Sequence, residues 1–124
     1  MINNFTLKQF MDLIDKNEKY CVWAKSHSTE SYARELIKEI NELLEGIKNN
    51  DPVNVNEEMA DILWDFFVLT KIAEREYQFS LAKGMEDTIK KMQRRKPHIF
   101  EERKVTMEES SRLWKEAKEK EKQK

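Results

Sequence analysis

Residues 56–70 read NEEMADILWDFFVLT. Set at about 100° per residue, Ile62, Leu63, Trp64, Phe66, Phe67, Val68 and Leu69, with Ile72 just beyond, cover almost the whole circumference of a helix. A helix that is apolar all round is buried on all sides, and a chain of 124 residues has few other elements to surround it. Neighbours from a second copy are therefore expected. Yet Glu58, Asp61 and Asp65 lie on one narrow stripe of the same helix. An isolated buried carboxylate is costly unless a cation accompanies it, and few lysines or arginines lie nearby in sequence.

The composition around this segment favours an all-α protein. Glycine and proline occur twice each, while Glu, Lys, Leu and Ile abound. The length suits one domain over residues 1–124. A net charge of −1 supplies no basic field for nucleic acid. The basic cluster Arg94-Arg95-Lys96 stands alone, which favours phosphate binding at one site. The lone Cys21 excludes an intrachain disulfide and reads as a small apolar residue. No membrane-spanning run or signal-peptide pattern is present, so a cytoplasmic protein is expected.

Five helices are predicted. Thr6 can cap a first over roughly 7–20, and Ser28 or Thr29 can open a second that runs to about Ile47. The stretch AKSHSTES between them is polar. KNNDPVN is the clearest break, and Asn54 with Glu57 resembles a capping pattern for a third helix over roughly 55–77. A fourth spans about 81–93. RRKPHIF then reads as irregular, because Pro97 biases Lys96 away from helix. Thr106 with Glu109 can open a fifth, whose charged end is expected to fray from about residue 120.

On the second helix Glu35, Glu39 and Glu42 share one face, and Leu36, Ile37, Ile40, Leu43, Leu44 and Ile47 share another. A solvated face would explain the glutamates taken alone. The short connection, however, favours an antiparallel hairpin with the third helix. Glu42 lies five residues before Ile47 and Glu58 four after Asn54; Glu39 lies eight before and Asp61 seven after. At about 1.5 Å per residue each pair sits at nearly one height. Glu39, Glu42, Glu58 and Asp61 can thus converge in one cluster. An all-oxygen, anionic set suits a hard divalent cation, Mg²⁺ or Mn²⁺. Neither His27 nor His98 is placed for a Glu-x-x-His di-iron site. Carboxylate-held Mg²⁺ usually keeps positions for water and substrate phosphates, so phosphoryl chemistry on a nucleotide or similar polyphosphate leads. With Gly46 and Gly84 the only glycines, no glycine-rich phosphate loop exists, and lysine or arginine side chains must meet the phosphates.

The spacing Glu39-x-x-Glu42, fifteen residues, Glu58-x-x-Asp61 resembles the ExxE…ExxD signature of the MazG nucleoside triphosphate pyrophosphohydrolases. CVWAK at 21–25 followed by Glu30-Ser31, KKMQRRKPHIF at 90–100, and Trp114 with Lys118 resemble three further family segments, in order. Val22 and Ala60 stand where proline and glycine are usual, and neither change removes a ligand. The resemblance implies an all-α fold built on a bundle-like dimer, often paired into tetramers. It also implies Mg²⁺-dependent hydrolysis of nucleoside triphosphates to monophosphate and pyrophosphate. Glu39, Glu42, Glu58 and Asp61 match the metal ligands; Lys91, Arg95, Trp114 and Lys118 match positions associated with nucleotide binding. Asp65 reads either as a partner of the site, even its base, or as a polar residue at a subunit interface. Glu35 reads as solvent-exposed, and His98 as structural. The rival reading is a helical nucleotide-binding or oligomerisation module without catalysis.

Overall fold

The structure is a computed structural model that describes residues 1–123. Among the described residues there is no strand and there are seven helices: α1 (Asn4–Tyr20), α2 (Val22–Ser26), α3 (Thr29–Lys48), α4 (Pro52–Tyr77), α5 (Leu81–Arg95), α6 (Pro97–Phe100) and α7 (Met107–Lys122). The all-α expectation holds. No described helix is long and apolar enough to cross a membrane. The chain forms two compact units, Met1–Phe79 and the segment from Ser80 onward.

In the first unit, α3 and α4 form the antiparallel hairpin that the short connection predicted. Asn50 makes the turn with φ 53°, in the left-handed region that Asn tolerates better than most residues. Asp51, rather than Asn54, caps α4: its side chain accepts from the Asn54 N–H at 3.1 Å, and Pro52 occupies the first turn, where a missing N–H costs nothing. At the other end of the hairpin Ser28 and Ser31 cap α3 reciprocally. Gly46 is buried near the turn; a Cβ there would fall 2.5 Å from Asn54 Nδ2, so the two helices approach closely.

α1 packs on α4. Ile14, Ala24, Tyr32, Val68 and Ile72 form the core, with Phe10 packed edge-on against Trp64 and Phe67 at its margin. Cys21 is half-buried against this core, as a small apolar residue should be. Ion pairs Lys71–Asp15 at 2.7 Å and Arg75–Glu18 at 3.0 Å tie α4 to α1. Two local expectations change. Asn3, not Thr6, caps α1, accepting from the Thr6 N–H at 2.7 Å. Residues 22–26 form the one-turn α2, because Ala24 is buried and Arg75 Nη2 donates to the Ala24 and His27 carbonyls.

The expectation that α4 is apolar all round has a concrete outcome. One side faces the core through Trp64, Phe67, Val68 and Ile72. The opposite side is open, with Leu63 50% and Phe66 47% exposed. Ile37, Ile40, Leu44 and Ile47 of α3 are exposed as well. Between the helices Leu36, Ile40, Met59, Ala60, Leu63 and Phe66 line an apolar groove of about 680 Å³.

In the second unit Ser80 caps α5, and Lys96 breaks the helix before Pro97 as predicted. The residues after Lys96 are not irregular: Pro97 opens the single turn α6, and the Arg103 N–H closes the following bend onto the His98 carbonyl at 2.9 Å. The His98 side chain is buried, in keeping with a structural role. Thr106 caps α7 by accepting from the Glu109 N–H. α7 stays helical through Lys122, where fraying was expected from about 120, because Glu121 is held by arginines of α5. The last residue of that expected frayed tail, Lys124, lies outside the described residues.

Candidate functional site

α3 and α4 carry their carboxylates up the same side of the hairpin. Oxygens of Glu39, Glu58 and Asp61 lie within 4.8 Å of one another. Glu42, the fourth predicted member, is exposed and outside that tight group, yet its charge is felt at Glu39. None of the four makes an ion pair among the described residues. Glu35, one turn from Glu39, is instead paired with Lys38 at 3.1 Å.

The crowding shows at Glu39. Glu39 is pushed up to about 7, first by a hydrogen bond to Glu58, then by burial, then by the charges of Glu42, Glu58 and Asp65. Glu58 Oε2 is fully enclosed and has no hydrogen-bond partner among the described residues. A buried carboxylate oxygen without a donor is costly. The donor set is all oxygen and anionic, the chemistry of a hard divalent cation. The residues therefore fit Mg²⁺ or Mn²⁺ on two independent observations, the enclosed orphan oxygen and the uncompensated charge.

Asp65 is placed beside this group. The Tyr32 hydroxyl donates to Asp65 Oδ1 at 2.9 Å. Burial raises Asp65, the Tyr32 bond opposes that rise, and the charges of Asp61 and Glu35 add to it. Tyr32 is itself fully buried in the core, packed edge-on against Trp23 and His27. Tyr32 as an anchor for Asp65 was not foreseen. The two are 33 residues apart in sequence, and only the closed hairpin joins them.

The other four predicted positions lie in the second unit. The Arg95 guanidinium sits 4.7 Å from the Trp114 ring centroid, and the Lys96 ammonium 5.8 Å from it. Lys91 is half-buried on α5 and Lys118 exposed on α7; neither has an ion pair among the described residues. Beside the Trp114 ring, Lys96, Ser110, Ser111 and Lys115 complete the walls of a hollow of about 310 Å³. Sequence reasoning missed Glu121. Its Oε1 accepts from Arg95 Nη2 at 2.8 Å and its Oε2 from Arg95 Nε at 3.3 Å and Arg94 Nε at 3.1 Å. These two guanidinium groups hold Glu121 down at about 2. Its signal in the sequence was the i, i+4, i+7 series Trp114, Lys118, Glu121 on one face of α7.

Comparison with known proteins converges on one family. The profile of the MazG nucleotide pyrophosphohydrolase domain matches residues 27–100. The crystal structure of a mazG-related protein from Thermotoga maritima superposes with a TM-score of 0.85 at 31% identity, over 90% of this chain and 98% of that one. The nucleoside triphosphate pyrophosphohydrolase/pyrophosphatase MazG of T. maritima is 29% identical over 96 residues, 73% of this chain and 38% of that protein. The uncharacterized protein YabN of Bacillus subtilis is 34% identical over 85 residues, 68% of this chain and 17% of that protein. The chain thus spans well under half the length of both these curated relatives. With a family profile over most of its length and a fold shared almost end to end, the chain belongs to the MazG nucleotide pyrophosphohydrolase domain family.

Proposed function

We propose that the protein hydrolyses nucleoside triphosphates, ribo- or deoxyribo-, to the nucleoside monophosphate and pyrophosphate, with Mg²⁺ as its ion and Mn²⁺ as a substitute. Water attacks the α-phosphorus and the bond from that phosphorus to the bridging oxygen of pyrophosphate breaks. The observation that carries this reading is the carboxylate cluster of α3 and α4, whose charge no side chain neutralises among the described residues and whose Glu58 Oε2 is enclosed without a donor among them. Glu39, Glu42, Glu58 and Asp61 would hold the ion. When bound, such an ion supplies Lewis acidity, an acidified water and a template for the polyphosphate.

The chain's own residues do the rest. The carboxylates repel a triphosphate that arrives without its cation, which makes binding conditional on the metal complex. Lys91, Arg95 and Lys118 offer positive charge to phosphate oxygens. Trp114 offers an indole face, with Arg95 packed against it. Asp65, held by Tyr32, is oriented beside Asp61 and does not swing freely.

On this proposal residues 1–124 are one catalytic domain that acts on nucleotides and not on nucleic acid, in the cytoplasm, where the Cys21 thiol stays reduced. The proposal also includes a homodimer or a dimer of dimers, because Ile37, Ile40, Leu44 and Ile47 of α3 and Leu63 and Phe66 of α4 leave apolar side chains of the hairpin open. Light scattering should give a mass of two or four chains, and Leu63→Asp should reduce it; a wild-type monomer would remove the oligomer from the proposal. For the activity, purified protein is incubated with each NTP and dNTP plus Mg²⁺. Monophosphate and pyrophosphate in equal amounts are expected. Orthophosphate instead would reject attack at the α-phosphorus, and binding without turnover would make the chain a nucleotide-binding module.

A further inference from the structure

Glu121 stands one turn beyond Lys118 on α7 and takes no part in the reaction proposed above. Its two oxygens nevertheless accept three hydrogen bonds from α5, two from Arg95 and one from Arg94. The way these bonds use the Arg95 guanidinium is informative. A guanidinium offers two flat edges of paired donors. Glu121 occupies the edge formed by Nε and Nη2. Nη1 has no partner among the described residues, so the edge it forms with the second Nη2 hydrogen stays available. The guanidinium carbon lies over the Trp114 ring, 4.7 Å from its centroid. Arg95 is therefore held along one edge and packed over an indole, with its outer edge unbonded among the described residues. The pair is shielded: the side chains of Arg95 and Glu121 are 15% and 24% exposed. A two-point, half-buried pair holds geometry that a single exposed contact would not.

We infer that Glu121 is a positioning residue, which clamps Arg95 over Trp114 so that its outer edge is already fixed when the polyphosphate of a substrate arrives. The inference rests on the reading that Arg95 meets phosphate. Arginine carries a large rotamer entropy. Held in advance, it loses little on binding; freed, it must be ordered by the ligand, and the loss falls on affinity. The opposite possibility, that Glu121 competes with phosphate for Arg95, is disfavoured by the unused edge and predicts the opposite sign.

The test is a double-mutant cycle on the full chain with Arg95→Ala, Glu121→Gln, Glu121→Asp and the pair Arg95→Ala/Glu121→Gln. Pyrophosphate release is measured with Mg²⁺ and the dNTP that wild type turns over fastest. Binding of inorganic tripolyphosphate is titrated separately with Mg²⁺ present, so that affinity is read apart from turnover of a nucleotide. Glu121→Gln should raise KM and weaken tripolyphosphate binding roughly 5- to 20-fold, with kcat changed less than about twofold. Glu121→Asp should recover part of that loss. In the Arg95→Ala background Glu121→Gln should add nothing, because its effect passes through Arg95. A Glu121→Gln enzyme with unchanged or tighter affinity overturns the inference, as does a full additive effect in the double variant. If wild type hydrolyses no triphosphate but the tripolyphosphate cycle behaves as stated, the proposed function fails and the clamp stands.

Discussion

The hairpin of α3 and α4 and the pair α5 and α7 both gather charged side chains, and they do so in opposite ways. On the hairpin, Glu39, Glu58 and Asp61 are brought together with no cation among the described residues, and Glu39 is pushed up to about 7. Between α5 and α7, Glu121 lies between two arginines and is held down at about 2. The first arrangement opposes folding, and no cationic side chain among the described residues relieves it. The second is complete in itself. Charge placed against stability marks a group kept for its chemistry, whereas charge placed in favour of stability marks a part built in advance.

The comparison breaks most visibly at Glu39. Glu39→Gln removes one ionisable carboxyl and keeps a donor toward Glu58 at every pH. Turnover should fall by about a thousandfold or more, since a proposed metal ligand is lost, while the melting temperature of metal-free protein rises by about 2–5 °C. Pyrophosphate release and a thermal melt check the two signs together. Both falling would mean that the cluster is structural and not a strained site. Arg95→Ala should act next most strongly. KM rises roughly 10- to 100-fold for loss of a charged contact, and stability falls because Glu121 loses its best partner. Steady-state kinetics and a melt measure this, and a stability gain would reverse the contrast drawn above.

The pH dependence follows from Glu39. Its proton is retained up to about 7 in the folded chain against an ordinary 4.5. The folded state thus binds more protons across that window, so the stability of the metal-free protein is greatest at the acid end and declines as pH rises through 7. Mg²⁺ held as proposed must displace that proton, so its affinity should increase by about tenfold from pH 6 to 7 at most and level off above. Melts at pH 5.5, 7 and 8.5 with and without Mg²⁺ test both trends; a flat metal-free profile would sink the shared proton. The smallest effect is expected at Tyr32→Phe. It deletes the bond to Asp65 at a cost of about 1 kcal/mol and lets Asp65 rise further, because Tyr32 is the one group that lowers it. Chemical denaturation gives the first quantity, and carboxyl NMR titration the second.

Much of this site was legible without coordinates. The stripes Glu35–Glu39–Glu42 and Glu58–Asp61–Asp65 follow from helical period alone, and the short break at KNNDPVN folds one against the other. Local rules erred where two of them competed. Asn54 with Glu57 looked like a cap, but Asp51 followed by Pro52 is the stronger start. The one-turn helices α2 and α6 were unreadable, because five and four residues are too few to show a period.

The sequence by itself determined the helical class, the hairpin and the set of carboxylates that share its face, since each depends on neighbours within a few residues or on one short turn. Only the tertiary structure decided what each charge touches. It separated Glu42 from the tight group, gave Asp65 the Tyr32 hydroxyl, left the apolar side of α3 and α4 open, and closed Glu121 onto Arg95. Those partners lie as far as 33 residues apart, and their meeting is set by how whole helices pack, which no periodicity records.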